Sequence, residues 1–355
     1  MNTINLDISV WLALTLGLLL VALVWRARRH YLALPEIGPL SSPEVGSTVP
    51  PPDCMVVIPA RNEEGNIGPA VRSLPPDSVI VVDDFSDDRT ADEARAAGAG
   101  VLTAPPLLDG AVGKSNACME GARVLTSRWI LFADADTHFK PGAVDTMVDA
   151  AEARQIEFLS LYLKPEFSTL LESAIAPYGV ALYFCGINPR ADAASAFNGQ
   201  CVLVKRAAYE FVGGHRAVLS YVCEDVKMAE LAQRHRLKFA AARASKLGSV
   251  RIHPADFTRN ASRFVLVRWW RGAWVAVTAG AWALWLPAMV FLLMRNQFAA
   301  AVAWLAAPSV FLGVWYGWAR AILAPIGIYA ILPRLLEGTI GAMTNRHFEW
   351  KGRVI

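Results

Sequence analysis

Long charge-free runs lie at both ends of the chain, and between them short apolar runs alternate with amphipathic polar stretches. Ile8 to Trp25 is eighteen residues without a charge, close to the roughly 20 a helix needs to cross about 30 Å of hydrocarbon. RARRH follows at once. A cleaved secretory signal would carry its positive charges ahead of the apolar run, so this order predicts a retained anchor, residues 1–30, with its C-terminal side in the cytoplasm. Near the other end, Gly272–Met294 and Asn296–Ala319 are charge-free runs of 23 and 24 residues separated by Arg295, which predicts a transmembrane hairpin. A third apolar stretch, Ala321–Pro333, is shorter and interrupted by Pro325 and Gly327. It reads as interfacial or re-entrant: lying flat, it leaves the basic tail in the cytoplasm, whereas crossing would put that tail outside, against the positive-inside bias. Residues 272–355 thus form a C-terminal hairpin, an interfacial segment and a tail.

The middle has a different period. CMVVIPA, SVIVVDD and WILFADAD are short apolar runs, and RNEEGNIGPAVRSL and SDDRTADEARAAG between them have polar starts and helical apolar spacing. Strands alternating with helices predict an α/β domain over residues 54–256 with a mostly parallel sheet, whose ligand site lies beyond the carboxyl ends of the strands. Residues 31–53, rich in Pro, Ser and Gly, read as a linker. DFTRNASRFVLVRWWRGAW, within residues 257–271 and just beyond, reads either as an amphipathic helix at the membrane surface or as the basic flank of the following span.

Composition agrees with this division. Of 355 residues, 54% are hydrophobic and 18% charged, too apolar for disorder or a collagen-like chain. The formal charge of +3 is too balanced for a nucleic-acid binder held by phosphate contacts. Residues 53–260 hold 26 of the 31 carboxylates, while residues 261–355 hold only Glu337 and Glu349. The five cysteines show no CxxC or Cys/His ligand spacing, which gives no sign of a disulfide framework or a zinc site.

Acids gather where the apolar strands end. Asp83 and Asp84 follow one strand; Asp134 and Asp136 follow another. Asp87 and Asp88, just after Ser86, suit turn and N-cap chemistry. In ADAD, two carboxylates one residue apart would repel each other without a cation or donor between them, and as hard oxygen ligands they suit Mg²⁺ or Mn²⁺ bridging a diphosphate. Turn chemistry alone is the competing reading. His138, His215 and His253 read as surface or core residues rather than ligands.

The ordered set VVIPARNEE, VVDDFSDDRT, GKSNACMEGA, ILFADADTHFKPGAV, NGQCVLVKRAAYEFVGGH and CEDVKMAELAQRHR resembles family 2 glycosyltransferases, over about residues 54–250. The resemblance implies the GT-A, Rossmann-like nucleotide-sugar fold, with transmembrane helices at both ends added by this chain. It places Pro59, Arg61 and Glu63 in the opening nucleotide loop, Asp84 on a uracil, and Lys114 on the nucleotide side. Asp134 falls on the ribose side and Asp136 on the metal. Glu224-Asp225 is similar to the ED motif, in which Asp225 is the catalytic base; an acid favouring its helix dipole is the plainer reading. Asn198, Gln200, Gly213 and Gly214 fall on the acceptor side, where the glycines either admit substrate closely or turn a hairpin. Arg268 and Trp269 stand where processive synthases carry QxxRW, here without the Gln, which argues against a long-chain product. WKGR, Trp350 to Arg353, resembles membrane-bound members that glycosylate carotenoids, hopanoids and related lipids.

The expected activity is inverting, metal-dependent transfer of a sugar from a nucleotide sugar, a UDP-hexose, to a membrane lipid at the cytoplasmic face of a bacterial inner membrane. Two alternatives stay open: a polyprenyl-phosphate glycosyltransferase, and a non-catalytic membrane protein that keeps the fold.

Overall fold

The structure, a computed structural model, describes residues 8–38, 53–251, 258, 261, 262, 269–316, 318–344, 349, 350, 353 and 354. In chain order the first elements are α1 (Ile8–Leu32), β1 (Cys54–Ala60), α2 (Ile67–Arg72), β2 (Val79–Asp83), α3 (Thr90–Ala96), β3 (Gly100–Thr103), α4 (Gly113–Arg123), β4 (Trp129–Ala133) and β5 (Thr137–Phe139). Next come α5 (Ala143–Ala153), β6 (Phe158–Tyr162), β7 (Lys164–Glu166), α6 (Leu170–Cys185), β8 (Cys201–Lys205), α7 (Arg206–Phe211), α8 (Glu224–Arg234), β9 (Phe239–Arg243) and β10 (Gly248–Arg251). The chain continues through α9 (Trp269–Met294), α10 (Phe298–Tyr316), α11 (Trp318–Met343), β11 (Glu349–Trp350) and β12 (Arg353–Val354). These elements fall into two compact units.

The α/β unit takes residues 34–166, 189–251 and 349–355. Its seven-stranded sheet has the order β3-β2-β1-β4-β8-β6-β9. The pairs β3–β2, β2–β1, β1–β4 and β6–β9 are parallel, and β8 runs antiparallel to both β4 and β6. The sheet is therefore mostly parallel and the protein mixed α/β. β1 and β4 are apolar because helices cover both faces of such a sheet; Val56, Val57, Ile58, Ile130 and Leu131 are fully buried. The chain leaves β1 toward β2 on one side and later returns as β4 on the other. A crevice forms at such a switch point, outside the strands' carboxyl ends.

The helical unit takes α1, α6, α9, α10 and α11. Among the described residues, Ile8–Leu32 and Gly272–Met294 are long and apolar enough to cross a membrane. Several polar groups here find partners within the unit, which an apolar surrounding favours. Arg26 Nε donates to Cys185 O at 2.9 Å, His30 Nδ1 lies 2.9 Å from Phe184 O, and the Trp285 indole donates to Trp304 O at 3.0 Å. The first two contacts satisfy carbonyls at the C-terminal end of α6.

Several expectations change. The domain drawn as a continuous 54–256 is interrupted: Phe167–Asn188 belongs to the helical unit. Its 16-residue helix is apolar but too short to stand out as a span. Ala321–Pro333 is no separate broken segment; it lies inside the continuous 26-residue α11. Gly327, read as a breaker, is a packing position, because a Cβ there would meet Ala174 O of α6 at 2.0 Å. The linker is partly ordered at its start. Ile37 N donates to Arg243 O and Arg243 N to Pro35 O, each at 2.7 Å, which lays Leu34–Ile37 along β9. The tail pairs β11 with β12. The stretch after β8 is α7 rather than the second arm of a hairpin. Residues 39–52 and most of the amphipathic segment 257–271 lie outside the described residues, as do Arg268 and His253.

Candidate active site

The sheet's carboxyl edge is built by two corners. At the first, the parallel ladder of β1 and β2 continues one step past the strands: Asp84 N donates to Ala60 O at 2.8 Å. This fixes Asp84, which is buried, beside the end of β1. Arg61 donates from Nη1 to Asp84 O at 2.5 Å and to Phe85 O at 3.2 Å. Asn62 N donates to Ser86 Oγ at 3.0 Å, and Asp87 N to Asn62 Oδ1 at 2.9 Å. Pro59 is half-buried within β1. Glu63 receives Asn66 Nδ2 at 3.0 Å, while its own amide donates to Thr90 Oγ1 at 2.7 Å. Asp88 accepts from Thr90 N at 2.9 Å and Glu64 N at 3.0 Å, which is turn and cap chemistry.

The second corner lies across β1, where β4 ends. Asp134 N donates to Gln200 O at 3.0 Å, extending the β4–β8 ladder. Asp84 and Asp134 thus flank β1 at two strand spacings, about 10 Å. Lys114, on the first turn of α4, reaches Asp134 Oδ1 at 2.5 Å, Gly199 O at 3.0 Å and Glu224 Oε1 at 3.7 Å. Burial alone would lower the lysine's pKa; the carboxylates of Asp134 and Glu224 overcome that and raise it. The ammonium is therefore charged. Gly199 N donates to Asp225 Oδ2 at 2.7 Å, and Val226 N to Asp225 Oδ1 at 2.8 Å.

Gly199 is the meeting point. A Cβ there would sit 3.2 Å from Glu224 Oε1, 3.3 Å from Lys114 Nζ and 3.4 Å from Asp225 Oδ2. Glu224 is buried, whereas Asp225 is only half-buried on the first turn of α8. Glu224 is thus a counter-charge to Lys114, and Asp225 is the acid open to a reactant. Asn198 and Gln200 hold the turn: Asn198 Nδ2 donates to Gln200 Oε1 at 2.8 Å.

Behind this corner is a cavity of about 30 Å³, room for about one water, lined in part by Lys114, Phe132, Tyr209, His215, Asp225 and Met228. His215 is a core residue: Tyr209 Oη lies 2.9 Å from its Nδ1, and burial pushes its pKa down to about 3, with Lys114 adding to the effect. It is neutral at physiological pH. Gly214, at φ +54°, leaves room for the Tyr209 ring, which a Cβ would meet at 2.6 Å. Gly214 therefore packs against Tyr209, while Gly213, at φ +86°, faces Ala217 instead.

Two supporting residues escaped the sequence reading. Ser160, fully buried, accepts Asn198 N at 2.8 Å and donates to Asn198 O at 3.1 Å. Its signal was a single hydroxyl in the apolar run FLSLY, which needs an internal partner. Tyr209 was the other. Trp269 begins α9, in the helical unit.

Among the described residues, no group of three or more His, Cys, Asp or Glu is placed to hold a metal alone. Asp134 has one oxygen on Lys114, and Asp136, half-buried two residues on, supplies a hard carboxylate. Such a set fits Mg²⁺ or Mn²⁺ when phosphate oxygens and water complete the shell, as is usual for these ions.

Residues 55–173 match the family model described as Glycosyl transferase family 2. The chain is 28% identical over 216 residues to a 4,4'-diaponeurosporenoate glycosyltransferase of Staphylococcus haemolyticus, covering 57% of each chain. Over 100 residues it is 41% identical to the enzyme of the same name from Staphylococcus aureus strain USA300, covering 26% of this chain and 27% of that one. The chain thus spans little more than half the length of the curated relatives it matches. Solved structures similar to it include a mannosyltransferase from Pyrobaculum calidifontis in complex with GDP-Man and Mn²⁺, at TM-score 0.48 and 15% identity over 94% of this chain and 99% of that one. Another is glucosyl-3-phosphoglycerate synthase from Mycobacterium tuberculosis in complex with Mg²⁺ and uridine-diphosphate, at TM-score 0.45 and 19% identity over 68% and 87%.

Proposed function

We propose that this chain, which carries a glycosyl transferase family 2 domain, transfers a sugar from a nucleotide sugar, a UDP-hexose, to a membrane lipid with inversion at the anomeric carbon. The observation that carries the reading is the second corner of the sheet edge. There a half-buried Asp225, aimed by the Gly199 amide at 2.7 Å, stands beside a charged Lys114 paired with Asp134 at 2.5 Å. One carboxylate open to an acceptor, next to a cation-balanced acidic pair, is what a single displacement needs. Asp225 takes the proton of an acceptor hydroxyl as the sugar is transferred. Asp84 and the Arg61 loop hold the nucleoside, and Asp134 lies toward its ribose.

Asp136 would hold the divalent cation, which supplies Lewis-acid neutralisation of the departing diphosphate. The hard oxygen of Asp136 beside a carboxylate already balanced by Lys114 supports that assignment. The apolar helices and the name of the 28% identical relative, a 4,4'-diaponeurosporenoate glycosyltransferase, support a lipid acceptor, and a carotenoid-type carboxylic acid is one class to test. An ionised carboxylate acceptor has no proton to give up, so the role of Asp225 separates acceptor classes.

The test uses the purified full chain in detergent with a panel of nucleotide sugars and a total lipid extract, with products identified by mass. Asp136→Ala should abolish the Mn²⁺ dependence of UDP binding. Asp225→Asn should keep UDP binding and slow transfer to a hydroxyl acceptor by roughly 10²–10⁴-fold. Transfer to a hydroxyl at the wild-type rate by Asp225→Asn would remove the base from the scheme; undiminished transfer to a carboxyl or phosphate acceptor would identify that class instead.

A further inference from the structure

Phe85 stands directly after Asp84 at the carboxyl end of β2, and its backbone has φ +56°, a left-handed conformation that a Cβ disfavours. Phe is poorly suited to that position, where Gly or Asn would fit with less strain. The conformation is set by neighbours and not by the ring. Arg61 donates to the carbonyls of Asp84 and Phe85, and Asn62 N donates to Ser86 Oγ at 3.0 Å. The ring gains little burial in return, for it is 45% exposed. A strained backbone presenting an aromatic face to solvent at a ligand-binding edge is an observation from which function can be inferred.

What covers the ring follows from its surroundings. Asp83, Asp84, Asp87 and Asp88 lie within three residues of it. Against these stand Arg61, bonded to the carbonyls of Asp84 and Phe85, and Arg89; the balance stays negative, which disfavours insertion among anionic lipid headgroups. A nucleobase suits the same surroundings: its flat face stacks on an aromatic ring, while its edge donates hydrogen bonds to a carboxylate or carbonyl.

We infer that Phe85 is the platform on which the donor's nucleobase stacks. This rests on the proposal that the sheet edge takes a nucleotide sugar, and it adds where the base lies and what holds it. Stacking is tolerant of base identity, so the ring supplies affinity and the polar groups around Asp84 supply selection.

The experiment measures binding of UDP, uridine and pyrophosphate to the full chain in detergent micelles, for wild type, Phe85→Ala, Phe85→Trp and Phe85→Gly. Phe85→Ala should weaken UDP and uridine by the same factor, about 5- to 20-fold, the lower range for a base stacked on an aromatic ring, with pyrophosphate unchanged. Phe85→Trp should bind as wild type or more tightly. Phe85→Gly should bind as weakly as Phe85→Ala yet melt at a higher temperature, because glycine adopts positive φ freely, a combination that a purely structural phenylalanine would not give.

UDP affinity within twofold of wild type in Phe85→Ala would overturn the stacking role and leave the nucleotide site standing. Equal weakening of pyrophosphate would overturn it too, by showing a collapsed loop. Loss of liposome co-sedimentation with UDP binding intact would assign the ring to the membrane. A wild-type chain that binds no UDP would overturn the nucleotide reading itself, and the platform with it.

Discussion

At the β1–β2 corner, the loops after Ala60 and Asp83 are joined by hydrogen bonds to backbone carbonyls and amides, from Arg61 to Asp84 O and Phe85 O and from Asn62 N to Ser86 Oγ. Across β1, the corner formed by β4, β8 and α8 is held by one ammonium, with Asp134 Oδ1 at 2.5 Å and Glu224 Oε1 at 3.7 Å. The two differ in how they should fail. The neutral bond of the first is worth about 1 kcal/mol net and each bond from the Arg61 guanidinium about 1.5–3 kcal/mol, spread over separate contacts, so it should loosen by degrees. The second keeps carboxylates together through a half-buried cation, its side chain 20% exposed, and removing one member of such a set costs more than any single neutral contact.

Lys114→Met tests that contrast with the largest expected effect. It removes the ammonium between Asp134 and Glu224 and should destabilise the protein by about 2–3 kcal/mol, below the roughly 3–5 kcal/mol of a fully buried set because the pair is partly exposed. Thermal unfolding of the full chain should shift down by roughly 10 °C, with loss of transferase activity. Ser86→Ala, on the other corner, removes one neutral acceptor and should cost about 1 kcal/mol. Equal shifts in the two variants would erase the distinction.

Gly199→Ala is the intermediate case. The added methyl lies 3.2–3.4 Å from Glu224, Lys114 and Asp225, so these side chains must give by tenths of an ångström. A misplacement of about 1 Å can cost 10²-fold in rate, and these shifts are smaller; transfer should fall by roughly tenfold. UDP affinity should stay near wild type, because the Asp84 corner is untouched. A parallel loss of donor binding and transfer would mean that the corners are coupled.

The sequence made the two corners unequally visible. β1, β2 and β4 read as continuous apolar runs because helices cover both faces of their sheet, and the acids after them stood out against that background. Asp84, Asp134, Asp136 and Asp225 could be picked as single residues. The bonds among them could not: Gly199 donates to Asp225 across 26 positions, and Lys114 reaches back from Gly199 across 85. No periodicity carries such pairings. The left-handed backbone at Phe85 was hidden because residue type predicts positive φ only for Gly, Asn and Asp. α6 went unseen for a different reason, since its apolar 16 residues are shorter than a span and sit between segments with sheet-like patterning.

Asn62 gives the smallest effect. It too has positive φ, +52°, opposite Phe85 in the same corner. Asparagine tolerates that region better than most residues, and here its Oδ1 also accepts Asp87 N at 2.9 Å. Asn62→Gly loses that acceptor, about 1 kcal/mol, but relieves the remaining backbone strain, so the terms nearly cancel and stability should change by less than about 0.5 kcal/mol. Asn62→Ala loses the acceptor and keeps the strain; with roughly 1–2 kcal/mol for a left-handed residue bearing a Cβ, it should melt clearly below Asn62→Gly. Thermal unfolding of the two variants side by side isolates the conformational contribution, because neither side chain can accept a hydrogen bond. If alanine and glycine melt together, this corner stores no strain, and the rise expected for Phe85→Gly disappears for the same reason.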